Sequence, residues 1–320
     1  MFNLHGSMLF LLAILLGAQQ VEIGSAPGRL IDIGGRRLHL HCTGTGSPTV
    51  VIEAGASAFA IDFTLVQPEI STTTRVCSYD RAGSGWSDPR PDVEIPIRVI
   101  RDLRSVLNAA GEKPPFVMVG ASRGGVFVRL FQAEYVADVA GLVLIDPTAE
   151  DRLFVMFQGK GVALTSLTPE QHRSMQSTLP ESIPIPPRQP QTGAPFDRLP
   201  PKLYDTRVAL DRKAIASIPA TVSADVVKEF ESGDYAMLSR LSAARKANPE
   251  LLGDMPMIVL TRGRSSAPDL QAAHAEISRL SRIGRHMVVP EAYHEIHLSH
   301  PDAVVKAVTE VVAQVRKRNR

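Results

Sequence analysis

A serine stands at position 122 within Gly120-Ala121-Ser122-Arg123-Gly124, directly after the apolar run Phe116-Val117-Met118-Val119 and just before Val126-Phe127-Val128-Arg129-Leu130-Phe131, a segment able to run as a helix. A serine on a sharp strand-to-helix turn has its hydroxyl lifted clear of the backbone, and the small residues around it relieve the crowding. The first N–H groups of the helix, with its positive dipole end, face any negative charge that develops beside the hydroxyl. That is equipment for nucleophilic attack on a carbonyl. A serine hydroxyl is a poor nucleophile unaided and needs a base within hydrogen-bond reach. Imidazole suits the task because it titrates near neutrality, and a carboxylate must orient it and stabilise its cation.

The chain supplies candidates for both partners. His294, His297 and His300 recur every three residues near the C terminus. That spacing raises a metal cluster as an alternative, but H-E-x-x-H, with ligands four apart on one helical face, is not present, and Pro301 limits a helix running through His300. His39 and His41 share one face of an early strand and read as structural. Among the acids, Asp146 closes the apolar run Leu142-Val143-Leu144-Ile145 and precedes Pro147, whereas Asp269 sits in Ser265-Ser266-Ala267-Pro268-Asp269. The latter also reads as a helix start, with a capping residue, a proline in the first turn and an acid that complements the dipole. Asp146 has its own bland reading, as a strand-end acid that caps the next turn. Asp151 is a third candidate.

The elements that must position these groups alternate. Strands are expected at 29–33, 36–42, 49–54, 75–79, 115–121, 141–146, 256–261 and 285–289. The later ones are short continuous apolar runs suited to burial on both faces, and Gly34-Gly35 joins the first two as a hairpin. Helical patterns at 95–110, 126–135, 268–280 and 301–315 lie between many of them, which predicts a mostly parallel sheet covered on both sides. From Asp146 to Met255 the alternation stops. Helices are expected there around 169–177 and 224–247, with an irregular, extended middle at 180–201, where eight prolines remove donors and fix φ. An insertion on the carboxyl-end side of such a sheet lies where these folds bind ligands, so it reads as a lid.

Composition narrows the function classes. With 320 residues, 44% hydrophobic and 21% charged, the chain suits one large α/β domain with an insertion. A net charge of +2 makes no strong electrostatic case for nucleic acid. Cys42 and Cys77, the two cysteines, are too few for a disulfide framework or a zinc site and read as buried free thiols, with a single bridge left open should the chain be exported. The apolar run Met8-Leu9-Phe10-Leu11-Leu12-Ala13-Ile14-Leu15-Leu16 is too short to span a bilayer and fits the core of a signal peptide, although no Lys or Arg precedes it. The expected division is therefore 1–24 as signal peptide or N-terminal anchor, 25–146 with 251–320 as the core, and 147–250 as the lid. The protein is then exported or held at the cell envelope, with any membrane association through the N terminus; a buried N-terminal helix, and a cytoplasmic chain, is the alternative. The basic C-terminal run Arg316-Lys317-Arg318-Asn319-Arg320 reads as complementing the dipole of a last helix.

In order along the chain, Val50-Val51-Ile52-Glu53-Ala54-Gly55-Ala56, Tyr79-Asp80-Arg81-Ala82-Gly83-Ser84-Gly85-Trp86-Ser87-Asp88, the serine turn, Leu142-Val143-Leu144-Ile145-Asp146-Pro147, Met257-Ile258-Val259-Leu260-Thr261 and Val289-Pro290-Glu291-Ala292-Tyr293-His294-Glu295-Ile296-His297-Leu298 resemble the landmarks of the α/β-hydrolase superfamily. The resemblance covers residues 29–315 apart from the insertion. It implies an α/β fold with a mostly parallel eight-stranded sheet flanked by helices, and a helical, proline-rich lid inserted after strand 6. It implies Ser122 as nucleophile and His294 as base. It places the acid at Asp146, as in members with an Asp-Pro after the earlier strand, with Asp269 as the alternative nearer the commonest position. The backbone N–H groups of Arg123 and Ala56 are the implied oxyanion donors. Two departures stand out: Ala54-Gly55 replaces the familiar His-Gly, and Arg123 puts a long cation beside the serine, where it would steer an anionic substrate or pair with Glu53 or Asp80.

The chemistry expected is cleavage of a carboxylic ester of small-molecule size through an acyl-enzyme, with no cofactor and no metal. Acyl transfer to another acceptor by the same groups, and a non-catalytic ligand-binding member of the fold, are the rival readings. Phe154, Phe157, Phe196, Tyr204 and Phe230 either line a pocket or form the core of the insertion.

Overall fold

In the computed structural model, which describes residues 23–318, eight strands form one sheet: β1 (Arg29–Asp32), β2 (Arg37–Thr43), β3 (Thr49–Glu53), β4 (Val76–Tyr79), β5 (Phe116–Ala121), β6 (Val139–Ile145), β7 (Met257–Arg262) and β8 (Arg285–Val289). Their order across the sheet is β1-β2-β4-β3-β5-β6-β7-β8. β1 and β2 form an antiparallel hairpin, and β2 runs antiparallel to β4. Every pairing from β4 through β3 to β8 is parallel. The expected strands are all present, with ends shifted by up to two residues.

The central strands are buried on both faces, and their side chains alternate between two apolar clusters. Val51, Met118, Leu142 and Val259 pack on one face with helices α2 (Pro96–Ala109) and α3 (Arg123–Glu134). Val50, Val117, Val143 and Ile258 pack on the other, against α1 (Gln67–Ser71) and the last long helix, Pro301–Arg318. Because the strands are parallel, their carboxyl ends gather on one edge, where loops can bring distant residues together.

Between β6 and β7 the chain leaves the sheet. It forms two antiparallel ribbons, Phe154–Phe157 with Lys160–Ala163 and Ser182–Pro184 with Thr221–Ser223. It also forms helices α4 (Pro169–Gln176), α5 (Pro201–Ala216) and α6 (Ala224–Ala247). α4 and α6 lie where expected. α5 does not follow from the apolar pattern; it starts at Pro201, a residue suited to the first helical position, where its missing N–H costs nothing. After β7 come α7 (Pro268–Ser278), α8 (Ile296–Ser299) and α9 (Pro301–Arg318).

Cys42 and Cys77 form a disulfide rather than remaining free thiols. They are direct cross-strand partners of antiparallel β2 and β4, and only the register, which no local pattern encodes, sets them face to face. The expected signal peptide or anchor falls largely in residues 1–22, outside the described residues. Among the described residues, no helix is long and apolar enough to cross a membrane.

Candidate active site

Ser122 lies between β5 and α3 with φ 51° and ψ −119°, a conformation that non-glycine residues rarely adopt. The turn is locked from both sides: Ser122 donates its N–H to Ile145 O at 2.9 Å and accepts from Gly125 and Thr148, both at 3.0 Å. Its hydroxyl does not cap α3. The glycines of the motif permit close approach. A Cβ on Gly124 would fall 2.3 Å from Glu53 O, and one on Gly120 would fall 2.5 Å from Gly124 O. α3 is thereby pressed onto β3 and β5, and its first turn meets the serine.

His294 stands in the loop after β8 and Asp146 in the turn after β6, itself at φ 42°. The Nδ1–H of His294 donates to Asp146 Oδ2 at 2.5 Å. Asp146 Oδ1 accepts from the backbone N–H of Arg262 at 3.0 Å, and Oδ2 also accepts from Arg262 Nη1 at 2.8 Å. Burial pushes the Asp146 carboxyl up, but the hydrogen bond from His294, the Arg262 N–H and the Arg262 guanidinium outweigh it, so the carboxyl is held below the usual range. Arg262 Nη1 and His294 Nδ1 approach to 2.9 Å because both aim at the same carboxylate oxygen. Ser122 and His294 line one cavity of about 40 Å³ together with Gly55, Ala56, Gln191, Phe196 and His297.

The other predicted residues sort clearly. Asp269 is 63% exposed at the start of α7 and pairs with Arg152, so it does not meet His294, whereas Asp146 is 2% exposed beside it. Asp151 is held by Arg245, Ser242 and Thr165. Ala56 follows β3, and both Ala56 and the first residue of α3, Arg123, flank the serine. Among the described residues, neither of their backbone N–H groups finds a backbone acceptor in the surrounding loops. The Arg123 side chain pairs with neither Glu53 nor Asp80. It forms a two-pronged pair with Asp234 of α6 at 2.6 and 2.9 Å and lies over the Phe230 ring, because Arg81 already holds Glu53 and His39 holds Asp80. The three C-terminal histidines do not converge: His297 is buried and stacked on Phe63 at 4.3 Å, and burial pushes its imidazole down to about 3, which keeps it neutral. Phe196 reaches the cavity, whereas Phe154 points to solvent and Tyr204 packs behind Phe196.

Two contributors, Arg262 and Gln191, escape sequence reasoning, whereas Phe196 is among the residues expected either to line a pocket or to form the insertion's core. Arg262 at the end of β7 carried a usable signal, a cation closing a buried apolar strand at the ligand-binding edge. Gln191 and Phe196 come from the proline-rich stretch. They are placed by Arg207 of α5, which donates to Gln191 O and Oε1 at 3.0 and 2.8 Å and stacks on the Phe196 ring at 3.9 Å.

The model of the alpha/beta hydrolase family matches residues 38–307. YqjL, an uncharacterised protein of Bacillus subtilis strain 168, is 24% identical over 276 residues, which is 85% of this chain and 86% of that protein. Two further curated relatives are longer, and the matched part spans 18% of one and 28% of the other. Among solved structures, a thermophilic esterase from Thermogutta terrifontis superposes with a TM-score of 0.57 at 19% identity, covering 88% of this chain and 94% of that one. The epoxide hydrolase CorEH superposes with a TM-score of 0.57 at 17% identity, covering 90% and 98%. At these identities the structural likenesses speak for the fold alone.

Proposed function

The chain belongs to the alpha/beta hydrolase family, and on that premise we propose that it is a serine hydrolase that cleaves a carboxylic ester through an acyl-enzyme. The observation that carries this reading is the buried Asp146 carboxylate on Nδ1 of His294, whose ring shares a cavity with Ser122. With Nδ1 protonated and committed to Asp146, Nε2 is the ring's basic nitrogen. It takes the Ser122 proton as the oxygen attacks the ester carbonyl, and the N–H groups of Ala56 and Arg123 stabilise the oxyanion. The leaving alcohol departs with the proton from His294. Water then attacks the acyl-enzyme with His294 again as base, and Ser122 regains its proton.

A serine on the turn favours acyl chemistry over epoxide opening, which in this fold resembles the same scheme but uses an aspartate as nucleophile. The segment between β6 and β7 acts as the lid, since it contributes Gln191 and Phe196 to the cavity wall. The Cys42–Cys77 bridge supports an oxidising compartment and hence export.

Ser122→Ala tests the scheme. Turnover of p-nitrophenyl esters falls by about six orders of magnitude where the three groups act as a unit, and labelling by a fluorophosphonate is lost. Retained esterase activity in purified Ser122→Ala protein sinks the assignment.

A further inference from the structure

Arg81 lies in the loop after β4, 8% exposed, and is absent from the cavity wall. Its guanidinium donates to two successive backbone carbonyls of the loop after β3: Nη1 to Ala54 O at 2.8 Å and Nη2 to Gly55 O at 2.7 Å. Nη1 also donates to Glu53 Oε1 at 2.7 Å, and the hydroxyl of Tyr79 donates to the other oxygen of Glu53. Glu94 lies 3.7 Å from Nε, and the Phe127 ring packs beneath the cation at 5.5 Å.

The carbonyl of Gly55 and the N–H of Ala56 belong to one peptide unit. The described residues have cis bonds only before prolines, so this unit is trans. In a planar trans peptide the N–H points opposite to the C=O. Fixing Gly55 O on the guanidinium therefore aims the Ala56 N–H away from Arg81, and Gly55 and Ala56 border the cavity that holds Ser122. A charge-assisted bond on the carbonyl also polarises the peptide and strengthens its N–H as a donor. The rest of the loop would not hold this orientation by itself: the neighbouring Ser57 sits at φ 56°, and the remaining bond to Gly55 O, from Ala58, is long at 3.4 Å.

We propose that Arg81 is the positioning residue of the oxyanion site, acting from behind through the Gly55–Ala56 peptide. The inference rests on the serine-hydrolase reading above and on Ala56 as a donor. It assigns Arg81 no contact with substrate.

Arg81→Lys keeps a cation facing Glu53 and Glu94 but replaces a rigid fork spanning two carbonyls with a single point donor. The test compares a p-nitrophenyl ester with its thionoester, whose thiocarbonyl sulfur is a poor hydrogen-bond acceptor and so depends little on the oxyanion donors. Loss of one such donor costs about 10²–10³ in kcat. Arg81→Lys is expected to lower kcat for the oxygen ester at least about tenfold, with KM held and the thionoester nearly unaffected, so that the ester-to-thionoester ratio collapses. An equal fall for both substrates, or an unchanged ratio, overturns the proposal. Should Arg81→Lys fail to fold, the double variant Arg81→Met/Glu53→Gln removes both charges together, leaves none buried alone, and is read by the same ratio. The two levels of inference fail differently. Wild-type turnover that survives Ser122→Ala refutes the serine-hydrolase reading. Turnover lost in Ser122→Ala with the ratio intact in the Arg81 variants refutes only the role of Arg81.

Discussion

Asp146→Asn changes one atom of a carboxylate that accepts from three donors: the His294 Nδ1–H at 2.5 Å, the Arg262 N–H at 3.0 Å and Arg262 Nη1 at 2.8 Å. An amide has one acceptor oxygen and one donor nitrogen. If the oxygen stays on Oδ1's side, facing the Arg262 backbone, the NH₂ faces both Nδ1 and Nη1. The ring must then switch tautomer, present an unprotonated Nδ1 to the amide and carry its proton on Nε2, where it cannot accept one from Ser122. If the amide flips, the NH₂ meets the Arg262 N–H head-on, and a buried donor is left without an acceptor, a loss of about 1–3 kcal/mol. The first arrangement avoids that cost at the backbone, so the wrong tautomer should dominate. Wrong-tautomer imidazole costs about 10⁴ in kcat, equivalent to about 5–6 kcal/mol of transition-state stabilisation. The assay is steady-state hydrolysis of a p-nitrophenyl ester, with Asp269→Asn in parallel. Asp269 is exposed and paired with Arg152, so its variant should stay within about twofold of wild type, as expected of a surface substitution. Activity of Asp146→Asn within tenfold of wild type, or an equal loss in Asp269→Asn, refutes the reasoning.

Three further outcomes follow from buried charge and covalent linkage. Asp234→Ala strips Arg123 of its partner on α6 and should lower stability by about 2–3 kcal/mol in urea titration, somewhat less than for a fully buried pair because Arg123 still reaches solvent; KM should rise as α6 loosens over the serine turn. Glu150 is buried; burial alone would raise its carboxyl, but Arg129 and Arg245 hold it down at about 2. Its folded value is depressed, so its contribution is fully present above the unfolded value near 4.5 and is lost as pH falls through about 2, and Glu150→Gln should remove about 3 kcal/mol of stability at pH 7 and flatten the acid limb of a stability–pH curve across that window. Reduction of Cys42–Cys77, which closes a loop with a sequence separation of 35, should cost up to about 4 kcal/mol, seen as a lower denaturation midpoint with dithiothreitol.

The sheet was legible in the sequence because parallel strands buried on both faces leave continuous apolar runs, such as Val117-Met118-Val119 and Leu142-Val143-Leu144-Ile145, that need no tertiary information to be recognised. The serine turn was legible for a related reason: the glycines at 120 and 124 mark close approaches of backbone to backbone. Partner choices were not legible. For Arg123 the sequence suggested Glu53 or Asp80, and the acid it meets instead, Asp234, is set by where α6 crosses α3. The cysteine pairing depends on strand register. α5 stayed hidden because its apolar residues Val208, Ala209 and Leu210 are consecutive and share the buried surface with Thr206, Arg207 and Asp211, so no helical stripe stands out.

That last case also explains how a proline-rich stretch can wall a reaction cavity. Prolines supply no backbone donors, so beyond the short ribbon of Ser182–Pro184 with Thr221–Ser223 the 180–201 segment depends on side chains from elsewhere. Arg207 does this from α5. It is fully buried, pairs with Asp62 at 3.0 Å and with Asp211 at 3.4 Å, and donates to Gln191 O and Oε1, while Asp211 accepts the Gln191 N–H at 2.8 Å. Asp62 in turn accepts from the Phe59 N–H, three residues beyond Ala56. One guanidinium therefore ties the proline-rich wall to the loop that follows β3, from the opposite end of the stretch that Arg81 grips. Arg81 fastens the start of that loop and Arg207 its end, and neither cation lines the cavity. Both cations are neutralised behind the wall, Arg81 by Glu53 and Arg207 by Asp62 with Asp211. Neither guanidinium therefore adds an unpaired charge to the field that the N–H dipoles at the serine turn present to a developing oxyanion.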